Sequence, residues 1–156
     1  MRRAMLRAQD IVSVPVGQAR GWFLSLREHP DRYRFDTHEG FEFIEGSFGQ
    51  VGAVFRTREK LLGLKLKILF ELTEVRESEF YFLLARPLSL GIWGRFHIGV
   101  DDRDRSRLSL EIGSDTRLGR LVLGLYPVAM AIQGQIEREV GHVKRSMERE
   151  FAPGNR

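Results

Sequence analysis

The chain has 156 residues, no cysteine, and 25 Lys+Arg against 21 Asp+Glu, for a formal net charge of +4. That length suits one domain over 1–156, with enough buried surface for a core that needs no disulfide or metal staple. With 42% hydrophobic and 29% charged residues, the composition excludes intrinsic disorder, and cysteine-based chemistry is impossible.

Met1 to Arg7 is basic but has no apolar run behind it, so no signal peptide is expected. Ile11 to Val16 is rich in β-branched residues and reads as a first strand. From Gln18 to Arg27, Ala19, Trp22, Phe23 and Leu26 recur at helical spacing. Pro30 interrupts this helix, and His29 to Phe35 reads as a break followed by a second short helix. The period then changes to two. Phe41 to Glu45 is a strand, and Gly46 to Gly52 is a glycine-rich hairpin connection. Ala53, Phe55, Thr57, Glu59 and Leu61 alternate with Arg56, Arg58 and Lys60, so the odd-numbered set is assigned inward. Three further faces follow: Leu64 to Leu72, Phe80 to Leu84 with Pro87 ending that strand, and Ile92 to Val100. A charged tip then leads to Leu108, Leu110 and Ile112.

From Leu118 to Met147 apolar residues recur at four- and three-residue spacing, predicting a long amphipathic helix that Pro127 kinks or restarts. Its apolar stretch from Leu118 to Ile132 is shorter than the roughly 20 residues of a membrane span and contains Arg120. The pattern predicts an α+β fold: a curved seven-stranded antiparallel sheet, two short helices after the first strand, and a long C-terminal helix on one face.

This order resembles the START-like, or SRPBCC, superfamily of polyketide cyclases/dehydrases, lipid-transport domains and birch-pollen-allergen-like proteins. The resemblance runs from about Ile11 to Glu150. It rests on the Val14-Pro15-Val16 segment before a helix bearing Trp22-Phe23, on His29-Pro30 with Tyr33 and Phe35, and on the hairpin from Gly46 to Gly52 leading into Phe55. It implies a helix-grip arrangement in which the sheet curls around the last helix and encloses a mostly apolar cavity.

His29, His38, His97 and His142 lie in different elements without metal-ligand spacing, so no metal site and no cofactor are expected. His29 and His142 are assigned to solvent and His97 to the outer sheet face. Polar residues on inward faces carry more information. Thr57 and Glu59 share the face of Phe55, and Arg86 shares that of Phe80, Phe82 and Leu84. Either they reach solvent at strand ends, or they are the polar fixtures of an apolar pocket. In the second case Glu59 is a candidate general base, and Arg86 a candidate to hold an enolate or carboxylate. Phe70, Trp93, Phe96, Tyr126 and Met130 complete the candidate ligand-binding set with Phe55, Thr57, Glu59, Phe82 and Arg86.

Seven Arg against Asp10, Glu28 and Asp31 place the charge excess in residues 1–34. Elsewhere basic residues alternate with acids, so nucleic acid is not expected as a partner. The basic N-terminal region suits transient contact with an anionic membrane surface or a protein. The leading expectation is a cytoplasmic, non-enzymatic binder or carrier of a hydrophobic small molecule, such as a lipid, isoprenoid or polyketide-like compound. The alternatives are a cyclase or dehydratase acting on a polyketide-like substrate, and a partner-binding module related to chaperone regulators. Nothing in the sequence specifies the ligand or the oligomeric state.

Overall fold

A computed structural model describes residues 2–86 and 88–152. The strands are β1 (Leu6–Val12), β2 (His38–Glu45), β3 (Val54–Leu61), β4 (Leu64–Val75), β5 (Glu79–Arg86), β6 (Ile92–Asp102) and β7 (Arg105–Ser114). The helices are α1 (Val16–Leu24), α2 (Arg117–Gly124) and α3 (Tyr126–Glu150), with a 3₁₀ turn at Pro30–Tyr33. All strand pairs are antiparallel, in the order β1-β7-β6-β5-β4-β3-β2. The meander from β2 to β7 needs only tight turns, and β1 closes onto the last strand. α3 lies against β1, β7 and β3, which come from opposite ends of this order. The sheet therefore curls around the helix.

The first strand lies earlier than expected. Leu6 to Val12 pair with Ile112 to Ser106 of β7, whereas Pro15 already precedes the first turn of α1. Pro15 offers no N–H to a ladder, so the β-branched run continues as a core-packed connection instead. Val14 is buried there, and its carbonyl accepts from Ser106 Oγ at 2.9 Å. β5 ends at Arg86; Pro87, expected to end it, lies outside the described residues.

The long helix is two helices. The chain is extended at Leu125, and Pro127 stands in the first turn of α3, where a missing N–H is tolerated. Thr116 caps α2 by accepting from Gly119 N–H at 3.0 Å. A methyl group on Gly119 would meet the Leu90 carbonyl oxygen at 2.2 Å, so only glycine fits this approach of α2 to the β5–β6 connection. Leu118 and Leu125, expected inward, are exposed; Gly119 and Leu123 form the buried side of α2.

The core is aromatic. Trp22 and Phe23 of α1 enter from one end, and Phe48 reaches back from the β2–β3 connection to touch Phe23, Phe41, Phe55, Phe80 and Phe96. The basic N-terminal region is not a free cationic patch. Arg2 pairs with Asp115, Arg7 with Glu111 and Arg32 with Glu150, while Arg20 and Arg27 donate to backbone carbonyls. No helix among the described residues is long and apolar enough to cross a membrane.

Candidate functional site

Between α3 and the concave face of the sheet lies a cavity of about 120 Å³. Its walls are mostly apolar, with Phe55, Phe70, Phe82, Phe96 and Ile136 among them. Polar groups also border it: Tyr33, His38, Thr57, Glu59, Gln135 and Glu139.

Four elements deliver the polar groups, the 3₁₀ turn supplying Tyr33. β3 turns Phe55, Thr57 and Glu59 inward by plain alternation, and Glu59 is only 8% exposed. β2 contributes His38 through an irregular register between His38 and Gly40. The bulge puts His38 on the same face as Phe41, three residues on, where strict alternation would turn it outward. Gln135 and Glu139 stand one helical turn apart on α3. His38 Nε2 lies 3.3 Å from Glu59 Oε1 and 3.5 Å from Glu139 Oε1, and Tyr33 Oη donates to Glu139 Oε2 at 3.4 Å. The His38 ring is held between Tyr33 and Phe35, at 4.9 and 5.2 Å between centroids.

Burial governs the protonation of this cluster. It pushes Glu59 up from the ordinary carboxylate range, against the nearby polar groups of Glu139, Thr57 and Gln135. It pushes Glu139 up further, because Glu139 also faces the Glu59 charge. Each of these two adjoining buried carboxyls thus holds its proton more tightly than an ordinary glutamate. The same loss of water pushes the Tyr33 phenol up and His38 down to about 3. Ionised carboxylates at 3.3–3.5 Å would draw the imidazole upward; burial, which also disfavours their charge, prevails, and His38 is neutral.

Several polar atoms here lack hydrogen bonds. Thr57 and Gln135 stand beside Glu59 without reaching hydrogen-bond geometry, leaving Thr57 Oγ1 and both amide atoms of Gln135 unpartnered. His38 Nδ1 is unpartnered as well. Such atoms in a native interior call for a ligand or water.

Of the residues expected at a site, Phe55, Thr57, Glu59, Phe70, Phe82 and Phe96 border the cavity, whereas Arg86, Trp93, Tyr126 and Met130 do not. The register shifts between the Leu69–Arg86 and Phe70–Leu84 pairs, so Arg86 falls opposite outward-facing Leu69 and is exposed. Arg86 therefore does not share the cavity with Glu59. Trp93 is out of phase with the inward set Ile92, Phe96 and Ile98. It is buried on the convex face instead, near Tyr81 and under the Arg2 guanidinium. Tyr126 and Met130 each precede an inward residue, Gln135 and Glu139, by nine positions, about two and a half turns, so they face the opposite way. They are 76% and 56% exposed.

Tyr33, His38, Gln135 and Glu139 were not anticipated. Gln135 and Glu139 had a signal, since each adjoins the stripe Ile132-Ile136-Val140-Val143; His38 had none, because a bulge is not visible in alternation. The four histidines lie in different elements without short ligand spacing in sequence, but the fold brings a ring nitrogen of His38 into one cluster with Glu59 and Glu139. The solvent assignment of His142 also fails: it is half-buried, contacts the Arg32 carbonyl at 2.7 Å through Nε2, and stacks on Phe35.

No family model and no curated relative matches the sequence. Solved structures do match in fold. The di-domain aromatase/cyclase BexL from the BE-7585A biosynthetic pathway aligns over 94% of this chain at TM-score 0.70 and 13% identity. The chain spans only 47% of the length of BexL. The aromatase/cyclase ZhuI from Streptomyces sp. R1128 aligns over 100% of both chains at TM-score 0.68 and 14% identity. Ginseng major latex-like protein 151 from Panax ginseng covers 95% of this chain and 97% of its own at TM-score 0.64 and 15% identity.

The chain has the START-like, or SRPBCC, fold. The helix-grip arrangement that the resemblance implies is thus observed, with a cavity between the curled sheet and α3.

Proposed function

We propose that this START-like protein binds a small hydrophobic molecule bearing one polar group, with its apolar body against Phe55, Phe70, Phe82 and Phe96. One observation carries the reading: an aromatic cavity that also presents unpartnered, buried hydrogen-bonding atoms on Thr57 and Gln135. A mostly apolar pocket with a few convergent polar groups is the usual form of a small-molecule site. Size narrows the class. An apolar cavity of roughly 150 Å³ holds benzene, so about 120 Å³ suits a single ring or a short branched chain with a hydroxyl or carbonyl. A lipid, isoprenoid or polyketide-like ligand of several rings requires α3 to move away from the sheet.

A second reading, proton transfer on the bound molecule, is favoured by the Glu59–Glu139 pair. Two carboxyls sharing a proton place an acid and a base beside the same ligand group. Enolisation or dehydration of a carbonyl compound fits that arrangement, and the aromatase/cyclase neighbours agree with it. Glu59 is then the base, and Arg86 has no part.

The test is calorimetric titration of the chelator-treated protein with phenol and with toluene. Phenol should bind about tenfold more tightly, the equivalent of one net hydrogen bond, and Thr57→Val with Gln135→Leu should abolish the difference. Equal affinities would refute the polar recognition, and binding of neither would refute the cavity as a ligand site.

A further inference from the structure

We propose that His38, Glu59 and Glu139 form a three-ligand site for a divalent transition cation of the zinc class, its fourth position open to the cavity. This goes beyond the binding of an apolar ligand and does not depend on it.

Geometry is the first argument. Each of the three residues offers one ligand atom, and all these atoms lie within 4.8 Å of one another. The two imidazole–carboxylate separations, 3.3 and 3.5 Å, are long for charge-assisted hydrogen bonds, which run about 2.7–2.9 Å. They match a tetrahedral ion, whose bonds of about 2.0–2.1 Å separate neighbouring ligand atoms by about 3.3 Å. Octahedral coordination at similar bond lengths would bring them to about 3.0 Å.

Charge is the second argument. Among the described residues, His38, a neutral imidazole, lies within 3.5 Å of Glu59 and of Glu139, and no lysine or arginine forms an ion pair with either carboxyl. Ionising both of these adjoining buried carboxyls without a cation is costly. A divalent ion balances both charges. One imidazole with two carboxylates suits zinc-like ions better than calcium or magnesium, which favour six or more oxygen ligands.

The surroundings are the third. Thr57 and Gln135, 3% and 4% exposed, border the same cavity with unpartnered atoms. They are placed to hold a water or ligand oxygen on the open position. Tyr33 Oη engages the Oε2 of Glu139, the oxygen left over when Oε1 ligates, as an outer-shell partner does. His38 and Glu59 are direct cross-strand partners, so the ladder sets two ligands before α3 supplies the third.

The 156-residue chain, stripped with chelator and then equilibrated with Zn²⁺, Mg²⁺ or Ca²⁺, is passed through gel filtration and its metal content measured. One zinc per chain should be retained, and neither magnesium nor calcium. The Co²⁺ form should show the intense visible absorption of four-coordinate cobalt. Glu59→Gln and Glu139→Gln should each weaken zinc binding by at least about tenfold, a loss found even for outer-shell partners. His29→Ala with His97→Ala should leave it unchanged. A measurement on the unmutated protein guards against misfolded variants: of its four histidines, zinc should shift the imidazole NMR signals of His38 first. No retained zinc, retention indifferent to both glutamine variants, weak six-coordinate cobalt absorption, or prior shifts at His29 or His97 would each overturn the site. None of these readouts involves an apolar ligand, so failure here is distinct from failure of ligand binding.

Discussion

His38 and Glu59 face each other across the β2–β3 ladder, and this pairing holds Nε2 3.3 Å from Oε1 inside an aromatic core. The His38 ring has two separable roles, stacking and polar contact. His38→Phe keeps the ring between Tyr33 and Phe35 and deletes the nitrogens. We expect metal-free stability to stay within about 1.5 kcal/mol, as for tolerated core replacements of similar shape. Zinc retention should disappear. Urea unfolding with metal analysis on the same sample separates the two roles.

Phe48 is fully buried yet belongs to the connection after β2. It holds α1 and both halves of the sheet together through its aromatic contacts. Phe48→Ala should lower unfolding stability by about 3–5 kcal/mol, read as a lower urea midpoint. A loss below about 1 kcal/mol would show that the loop is not part of the core.

Arg86, Tyr126 and Met130 are exposed and do not border the cavity. Alanine at each should leave phenol affinity within about twofold and stability within about 0.5 kcal/mol, as for ordinary surface positions. A tenfold affinity loss at Arg86 would restore it to the site.

On the convex face Glu111 is the centre of an Arg–Glu–Arg bridge across three strands, paired with Arg7 of β1 and Arg95 of β6. Glu111 is almost fully buried, Arg95 partly so, and Arg7 mostly exposed. Glu111→Ala removes the buried carboxylate from Arg95, which keeps Glu79 and Tyr81 as partners, and should cost about 1.5–3 kcal/mol, the range for hydrogen bonds to charged groups. Arg7→Ala removes only a solvated partner and should cost no more than about 1 kcal/mol. Denaturation of the two variants side by side tests this asymmetry.

Gly119→Ala should destabilise by about 1–3 kcal/mol, since the added methyl overlaps the Leu90 carbonyl and the Ser114 side chain. Gly134→Ala has nothing within 4 Å of the new methyl and should be neutral or stabilising. Paired melting curves decide between close packing and mere tolerance of glycine at each position.

The architecture was readable because burial imposes its period on the chain. Alternation from Ala53 to Leu72 and from Phe80 to Leu84 marked the strands and put Phe55, Thr57 and Glu59 inward; the four- and three-residue spacing from Ile132 to Met147 marked α3. Period fails where register breaks. The irregular pairing beside His38 turns that residue in, and the one beside Phe70 turns Arg86 out. Neither leaves a trace in hydrophobic pattern, because a bulge changes the face of a residue without changing its type. Trp93 differs: its aromatic character suggests the interior, but its odd position on β6 places it on the convex face beside Tyr81.

What the sequence by itself determined is a curled antiparallel sheet with a helix on its apolar side and one acid, Glu59, turned toward that side. These follow from local periodicity, which depends only on neighbours along the chain. Only the tertiary structure decided that Glu59 has company. His38, Gln135 and Glu139 reach it from a strand 21 residues earlier and from a helix across the core. The distance between side chains so far apart in sequence is set by strand register and helix rotation, and neither is encoded in any single segment.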